Sequence, residues 1–420
     1  MSKSIKIYLR RLKDVLLKTK NFVAVSLLDQ GFNSIISLIG SIYILAKLPI
    51  HDFAAAGFTI SFSYFTSAIV KNKYITTLNY SNKIPQYTAF SLLRYLYKKI
   101  RLNIMLYSIS LWILMITTTH NLITASILLL LGIGLFSADL IRNICIIKNI
   151  QKISVMAGIF SLFFLLLLIE FGSSGIEGEL LLSIYSMFQF SYLFFTVLFM
   201  RKTDTSSNTE SLQLFFKAHI STSKSFQNES IIVMSLNIFS ISVFYLLIPE
   251  FYSAMLIAYL FSATIPMFFS NALLPKIQTT YSRNRFQFVT ISFLFWLIIS
   301  ILTLFFALLA CIYQEQISSL YLANTKQAFD IIFGVVSVVC AISLYQIFYL
   351  PLKEILKNGF LIYRSVMYIF LTVFPIFGAL WKNSMYYVFV QILLLVFIGI
   401  MVLYPVFSKN RAKEGDHGSK

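Results

Sequence analysis

Apolar residues in this chain fall in long runs separated by short polar breaks, and the runs predict its elements. A helix rising about 1.5 Å per residue needs roughly 17–25 apolar residues to cross a hydrocarbon core of about 30 Å. Six runs approach that length in the first half: Phe22–Leu45, Ala54–Val70, Leu102–Thr118, Leu122–Ile141, Ser154–Ile169 and Leu180–Met200. Six follow in the second: Ile231–Leu247, Phe251–Ser270, Phe288–Cys311, Phe329–Leu350, Ser365–Leu380 and Tyr386–Phe407. The alternation of a barrel strand is missing. Helices also satisfy every backbone N–H and C=O internally, as a lipid-exposed segment must. The pattern therefore predicts an all-α polytopic membrane protein with about twelve spans.

Composition agrees. Of 420 residues, 58% are hydrophobic and 12% charged, with a mean hydropathy of +0.81. A soluble domain of this size has no way to hide that much apolar surface, whereas a bilayer requires it on the outside of each helix. The charges supply the orientation. With the twelve spans in place, 31 of the 34 Lys and Arg residues fall on one side. The N-terminal arm holds Lys3 to Lys20, and the segment 71–101 carries seven basic residues and no acidic one. The opposite loops hold only Lys47, Lys326 and Lys382, with Glu170, Glu177, Glu179, Glu250 and Glu315 among them. The positive-inside rule then places both termini in the cytoplasm. The net charge of +18 is a topology signal spread over loops, so nucleic acid is not an expected partner. The first apolar run is too long for a cleaved signal peptide and is expected to remain as the first span.

The longest polar break between central spans, Arg201–Ser230, divides the chain into six helices plus six, with Thr203–Glu210 as a solvated linker. Residues 1–209 form an expected N-lobe and residues 210–408 a C-lobe, followed by a cytoplasmic tail, 409–420. The halves echo each other at an offset of about 200 residues. Leu48-Pro49 matches Ile248-Pro249, and Ile75-Thr76-Thr77 with Tyr80-Ser81 matches Ile277-Gln278-Thr279 with Tyr281-Ser282. Two segments are amphipathic, the N-terminal arm (Ile5, Leu9, Leu12, Leu16) and 91–101 (Arg94, Lys98, Arg101 beside Leu92, Tyr95, Leu96). Both are expected to lie along the cytoplasmic leaflet, by ordinary attraction to anionic lipid or to capture an anionic lipid substrate.

No catalytic constellation is present. A Walker phosphate loop is missing, the four histidines sit in loops or the tail, and Cys145, Cys311 and Cys340 have neither metal nor disulfide spacing. The chemistry lies in polar residues within apolar runs. Asp29 is the only acid well inside a run, with Asn33 one turn further on the same face. A carboxylate there can take up H⁺ or Na⁺ from a wet cavity; alternatively, the arm's cations neutralise it at the interface. Asp139 and Arg142 are spaced for a local ion pair. Gln189, Asn237, Gln346 and Gln391 suit interhelical hydrogen bonds. Pro266 and Pro375 interrupt two spans, and Trp112, Trp296 and Trp381 suit interfacial anchoring.

The stretch Ile44-Leu45-Ala46-Lys47-Leu48-Pro49-Ile50-His51-Asp52-Phe53-Ala54 resembles the loop after the first helix in the polysaccharide-transporter branch of the MOP (multidrug, oligosaccharidyl-lipid, polysaccharide) superfamily. The usual Arg is Lys47 here, Asp52-Phe53 is the acidic-aromatic pair, and the customary glycines are absent. Length, span number and the two-lobe repeat are similar to those of O-antigen flippases over the whole chain. The resemblance implies a MATE-like fold in the bacterial inner membrane. It also implies transport of undecaprenyl-pyrophosphate-linked oligosaccharide from the cytoplasmic to the periplasmic leaflet, with O-antigen polymerase and chain-length regulator as further partners. No cofactor is expected beyond a coupling H⁺ or Na⁺, for which Asp29 and Asn33 are candidates. Cations holding the pyrophosphate are expected at Lys47, Lys71, Arg142 and Lys276.

Two rivals remain. A cation-coupled multidrug exporter of the same superfamily would use Asp29 equally well. A membrane O-antigen polymerase, the enzymatic alternative, resembles a bundle with one large periplasmic loop, for which the outward loops here are too short. The topology has a direct check. Reporter fusions at residue 215 and at the C-terminus should read cytoplasmic, and one at residue 318 should read external; an external C-terminus would contradict an even number of spans.

Overall fold

A computed structural model describes residues 48–80, 87–148, 150–172, 178–202, 210–263, 285–320, 325–356, 359–380 and 383–417, with Pro266. These residues are helical almost throughout, with no strand among them. Nine described helices are long and apolar enough to span a membrane. In the first half the helices are α1 (Ile50–Lys71), α2 (Ala89–Thr119), α3 (Leu122–Ile147), α4 (Gln151–Gly172) and α5 (Gly178–Lys202). A short α6 (Glu210–Ala218) precedes α7 (Ile220–Leu247) and α8 (residues 249–263). Then come α9 (Arg285–Ile312), the short α10 (Gln314–Leu320), α11 (Thr325–Leu356), α12 (Phe360–Leu380) and α13 (Ser384–His417). The predicted first span and the N-terminal arm lie outside the described residues.

Local chemistry sets the helix ends. Thr88 and Ser91 form a reciprocal capping box at the start of α2. His120 ends α2 in the left-handed conformation at φ 52°, and its N–H donates to the Ile116 carbonyl. Asn121 then caps α3 by accepting from the Ile123 N–H at 2.9 Å. This two-residue connection holds α2 and α3 as antiparallel neighbours. Pro49 and Pro249 stand at the starts of α1 and α8, where a missing N–H costs nothing. The two starts meet: Ser253 Oγ donates to the Ile50 carbonyl at 3.3 Å.

The buried core of the described residues falls into three clusters. One, at the end of the bundle that holds Leu48, joins residues of both halves, from Leu48, Phe53 and Phe58 through Leu182 and Phe188 to Phe244, Tyr252, Ile332 and Tyr387. Two lie toward the opposite end. One holds Val70, Tyr74, Leu96 and Ile141 with Phe216 of the second half; the other holds Val233, Leu344, Phe348, Met367 and Val402. In the first cluster Gly57 permits close approach of the halves, because a Cβ there would stand 2.1 Å from Leu256 Cδ1. Phe58 stacks on Tyr245 at 5.0 Å, and the Tyr245 hydroxyl donates to Thr118 Oγ1 at 2.9 Å.

Several expectations need correction. Segment 91–101 is not a separate interfacial helix but part of the first turns of the 31-residue α2. Leu92, Tyr95, Leu96 and Ile100 are buried, while Arg94, Lys98, Lys99 and Arg101 are exposed. The amphipathic pattern was that of a helix leaving the bilayer against a neighbour. The polar break is also largely helical: α6 buries Leu212, Phe215 and Phe216, and α7 begins at Ile220. None of the four amides makes the expected interhelical hydrogen bond among the described residues. Gln189 meets Tyr185 of its own helix, Asn237 contacts Met234 of its own helix, Gln346 is exposed, and the buried Gln391 amide is unpartnered. Pro375 lies within a continuous α12. Trp296 is no interfacial anchor, since its indole N–H ties α9 to the Cys340 carbonyl of α11 at 3.0 Å.

Candidate functional site

Polar side chains within the described bundle gather in two places, one in each half, both toward the end opposite Leu48. In the first half, Tyr64, Ser67 and Lys71 recur at helical spacing along α1. Ser67 Oγ donates to Asp139 Oδ2 on α3 at 2.6 Å. Asn143, one turn further along α3, donates to Asp139 Oδ1 at 3.2 Å and to its carbonyl at 2.7 Å. Asp139 and Arg142 both act on the Tyr64 hydroxyl, which in turn acts on that of Tyr185 on α5. Tyr64 is 40% exposed. Lys71 and Arg142 are half-buried, and Lys71 lies one turn beyond the Ser67 contact. Two cations and one carboxylate are therefore carried by the neighbouring ends of α1 and α3.

Just past the end of α3, Lys148 sits over the Tyr87 ring at 3.6 Å. Burial pushes its ammonium below the ordinary lysine pKa, because the charged form loses hydration there.

In the second half, Glu229 on α7 is 7% exposed and Arg364 on α12 is 9% exposed. Glu229 Oε2 accepts from Arg364 Nη1 at 2.9 Å and from the Tyr349 hydroxyl at 2.8 Å. Its Oε1 accepts from Lys353 Nζ at 2.8 Å. The cations also rest on aromatic faces, Arg364 over Tyr349 at 5.1 Å and Lys353 over Phe226 at 4.6 Å. One carboxylate thus ties together α7, α11 and α12 and again leaves an excess of one positive charge.

Of the residues predicted from sequence, Lys71 and Arg142 fall on the adjoining helices α1 and α3, which Ser67 and Asp139 join. Lys47, Lys276, Asp29 and Asn33 lie outside the described residues. Sequence reasoning missed Glu229, Lys353 and Arg364, which had counted only as loop charges. Their signal was position: each stands within about a turn of an apolar run, near enough for a slightly longer helix to bury it. Among the described residues no group of three or more His, Cys, Asp or Glu side chains could hold a metal ion.

No protein-family model and no curated protein matches the sequence. Solved structures do. One is an inward-facing multidrug resistance MATE family transporter of the MOP superfamily, at 12% identity and TM-score 0.57, covering 92% of this chain and 96% of that one. An outward-facing transporter of the same description aligns at 14% identity and TM-score 0.48, covering 94% and 95%. The first likeness establishes the class of fold: this is a multi-pass membrane protein with a MATE-like transporter fold.

The three-way ion cluster gives a quantitative expectation. Glu229→Gln strands two cations at a nearly buried site and should destabilise the protein by about 3–5 kcal/mol. Adding Arg364→Gln should recover part of that loss. Denaturation of purified protein in detergent reads both, and additive losses would show that the pair does not interact in the folded state.

Proposed function

We propose that the chain is an O-antigen flippase. In this reading it carries undecaprenyl-pyrophosphate-linked oligosaccharide from the cytoplasmic to the periplasmic leaflet of the bacterial inner membrane. Its two lobes, residues 1–209 and 210–408, rock to expose a central cavity to each side in turn, and uptake of H⁺ or Na⁺ at Asp29 and Asn33 drives the cycle. O-antigen polymerase and the chain-length regulator receive the product.

One observation carries this reading. Each lobe carries two cations and one carboxylate near the helix ends expected to face the cytoplasm: Lys71 and Arg142 on the helices that Ser67 and Asp139 join, and Lys353 and Arg364 paired with Glu229. A pyrophosphate headgroup must leave water with its negative charge. A cation in a cavity of low dielectric offsets more of that cost than one in water does. The resemblance around Lys47 points to the same substrate class. A multidrug exporter remains the second reading, supported by the description of the first structural neighbour. The surplus of positive charge suits a cationic drug poorly.

Neutralising Lys71 and Arg142 together should reduce surface polysaccharide at least tenfold, whereas charge-preserving Lys71→Arg should be milder; Lys413→Ala, in the tail, should have no effect. The check is a polysaccharide ladder from a strain in which this chain is the sole flippase. Undiminished polysaccharide in a complete deletion would reject the function. Gain of drug sensitivity in that deletion, with polysaccharide intact, would favour the exporter.

A further inference from the structure

At the cytoplasmic end of α1 the helix widens into a π turn over Asn72–Thr76. π turns inside α-helices leave carbonyls that other groups can take up. Here the Lys73 carbonyl accepts from Thr77 Oγ1 at 2.7 Å and from Ser223 Oγ at 2.9 Å, the latter reaching across from α7. This hydrogen bond bridges the two halves beside the cluster that Phe216 of the second half shares with Tyr74 and Tyr95 of the first. Around it stand three lysines from three helices: half-buried Lys73 on α1, exposed Lys99 on α2 and exposed Lys224 on α7. Lys99 and Lys224 both act electrostatically on Lys73. Among the described residues no carboxylate pairs with any of the three.

Aromatic rings form the floor. Lys73 Nζ lies 5.3 Å from the Tyr74 ring centre and Lys99 Nζ 5.9 Å from that of Tyr95. Tyr95 stacks on Phe216 of α6 at 5.4 Å, and Tyr74 meets the same ring edge-on at 5.3 Å. A rigid, buried platform thus holds two of the lysine stems. Like charges gathered without a counter-ion oppose folding, and an anion seated among them removes that repulsion. The site lies at the end of the spans that carries the chain's basic residues, at the level where acidic phospholipids present their phosphates.

We infer that Lys73, Lys99 and Lys224, on the Tyr74–Tyr95–Phe216 platform, seat the phosphate headgroup of an acidic phospholipid that bridges α1, α2 and α7. Because Lys224 belongs to the second half and the other two to the first, the bound lipid stabilises the present arrangement of the halves. It acts as a membrane-derived regulator, separate from the transported molecule. The site stands independently of what the cavity carries.

The full chain in phosphatidylcholine nanodiscs, titrated with phosphatidylglycerol and read by native mass spectrometry and thermal melting, tests this. Each lysine neutralised (Lys73→Gln, Lys99→Gln, Lys224→Gln) should weaken lipid binding about fivefold, and the triple variant about a hundredfold. Arg replacements should retain binding. Lys98→Gln, exposed on the adjacent position of α2, should have little effect. Equal losses for Lys98→Gln and Lys99→Gln would reduce the effect to diffuse surface attraction and overturn the seat. Full thermal protection by inorganic phosphate in neutral nanodiscs would overturn the lipid assignment, and unchanged binding by the triple variant would overturn both.

Discussion

Hydrocarbon offers a peptide group no hydrogen bond, and the rest of this structure follows from that. Each span must close its own backbone ladder, so the described chain is helical and its secondary structure carries little information about function. Polar chemistry is left to side chains, and these too need partners or water. Serines and threonines along the spans mostly donate to the carbonyl one turn back, as Ser63 does to Thr59 and Thr372 to Tyr368. Charged groups have no such local solution. They gather where a lobe's own helices can surround them, or where the helices emerge from the bilayer.

The same constraint shapes the seam between the halves. Lipid gives helices no hydrophobic reason to associate, so contact depends on close fit and small residues. Gly57 against Leu256 supplies that fit at the Leu48 end, with Phe58, Tyr245 and Tyr252 packed around it. At the opposite end Phe216 of the second half packs on Tyr74 and Tyr95 of the first, and Ser223 Oγ donates to the Lys73 carbonyl. The ion cluster of Glu229, Lys353 and Arg364 holds α7 to its own half while the outer contacts hold it to the other. α7 is therefore the helix on which any relative motion of the halves must act.

Much of the fold was legible in the sequence because lipid imposes one rule on every span. Apolar run length located the helices, and the Leu48-Pro49 and Ile248-Pro249 echoes marked helix starts that do meet in space. What the runs did not reveal was where helices continue beyond the apolar core. α2 and α7 begin many residues before their hydrophobic stretches, so Tyr95 is buried within a span's own helix instead of lying on a separate interfacial one, and Glu229 is helical and buried instead of lying in a loop. Hydropathy averages over a window and is blind to one charge compensated by another on a distant helix. The site was therefore only partly visible. Lys71 and Arg142 could be named, but Ser67, Tyr349 and Arg364 acquire meaning only from neighbours 72 to 135 residues away in the chain.

The central claim is that the halves pivot about the seam where Gly57 meets Leu256. Pulsed electron resonance on spin-label pairs measures it directly, with an outer pair at the Leu48 end of the bundle (Leu122→Cys with Met385→Cys) and an inner pair at the opposite end (Lys98→Cys with Leu361→Cys), all at exposed positions. Gly57→Leu, whose side chain cannot share space with Leu256, should lengthen the outer distance and shorten the inner one, and Leu256→Ala should restore both. Outer and inner distances that stay fixed, or that change in the same direction, would contradict a pair of lobes pivoting about this seam.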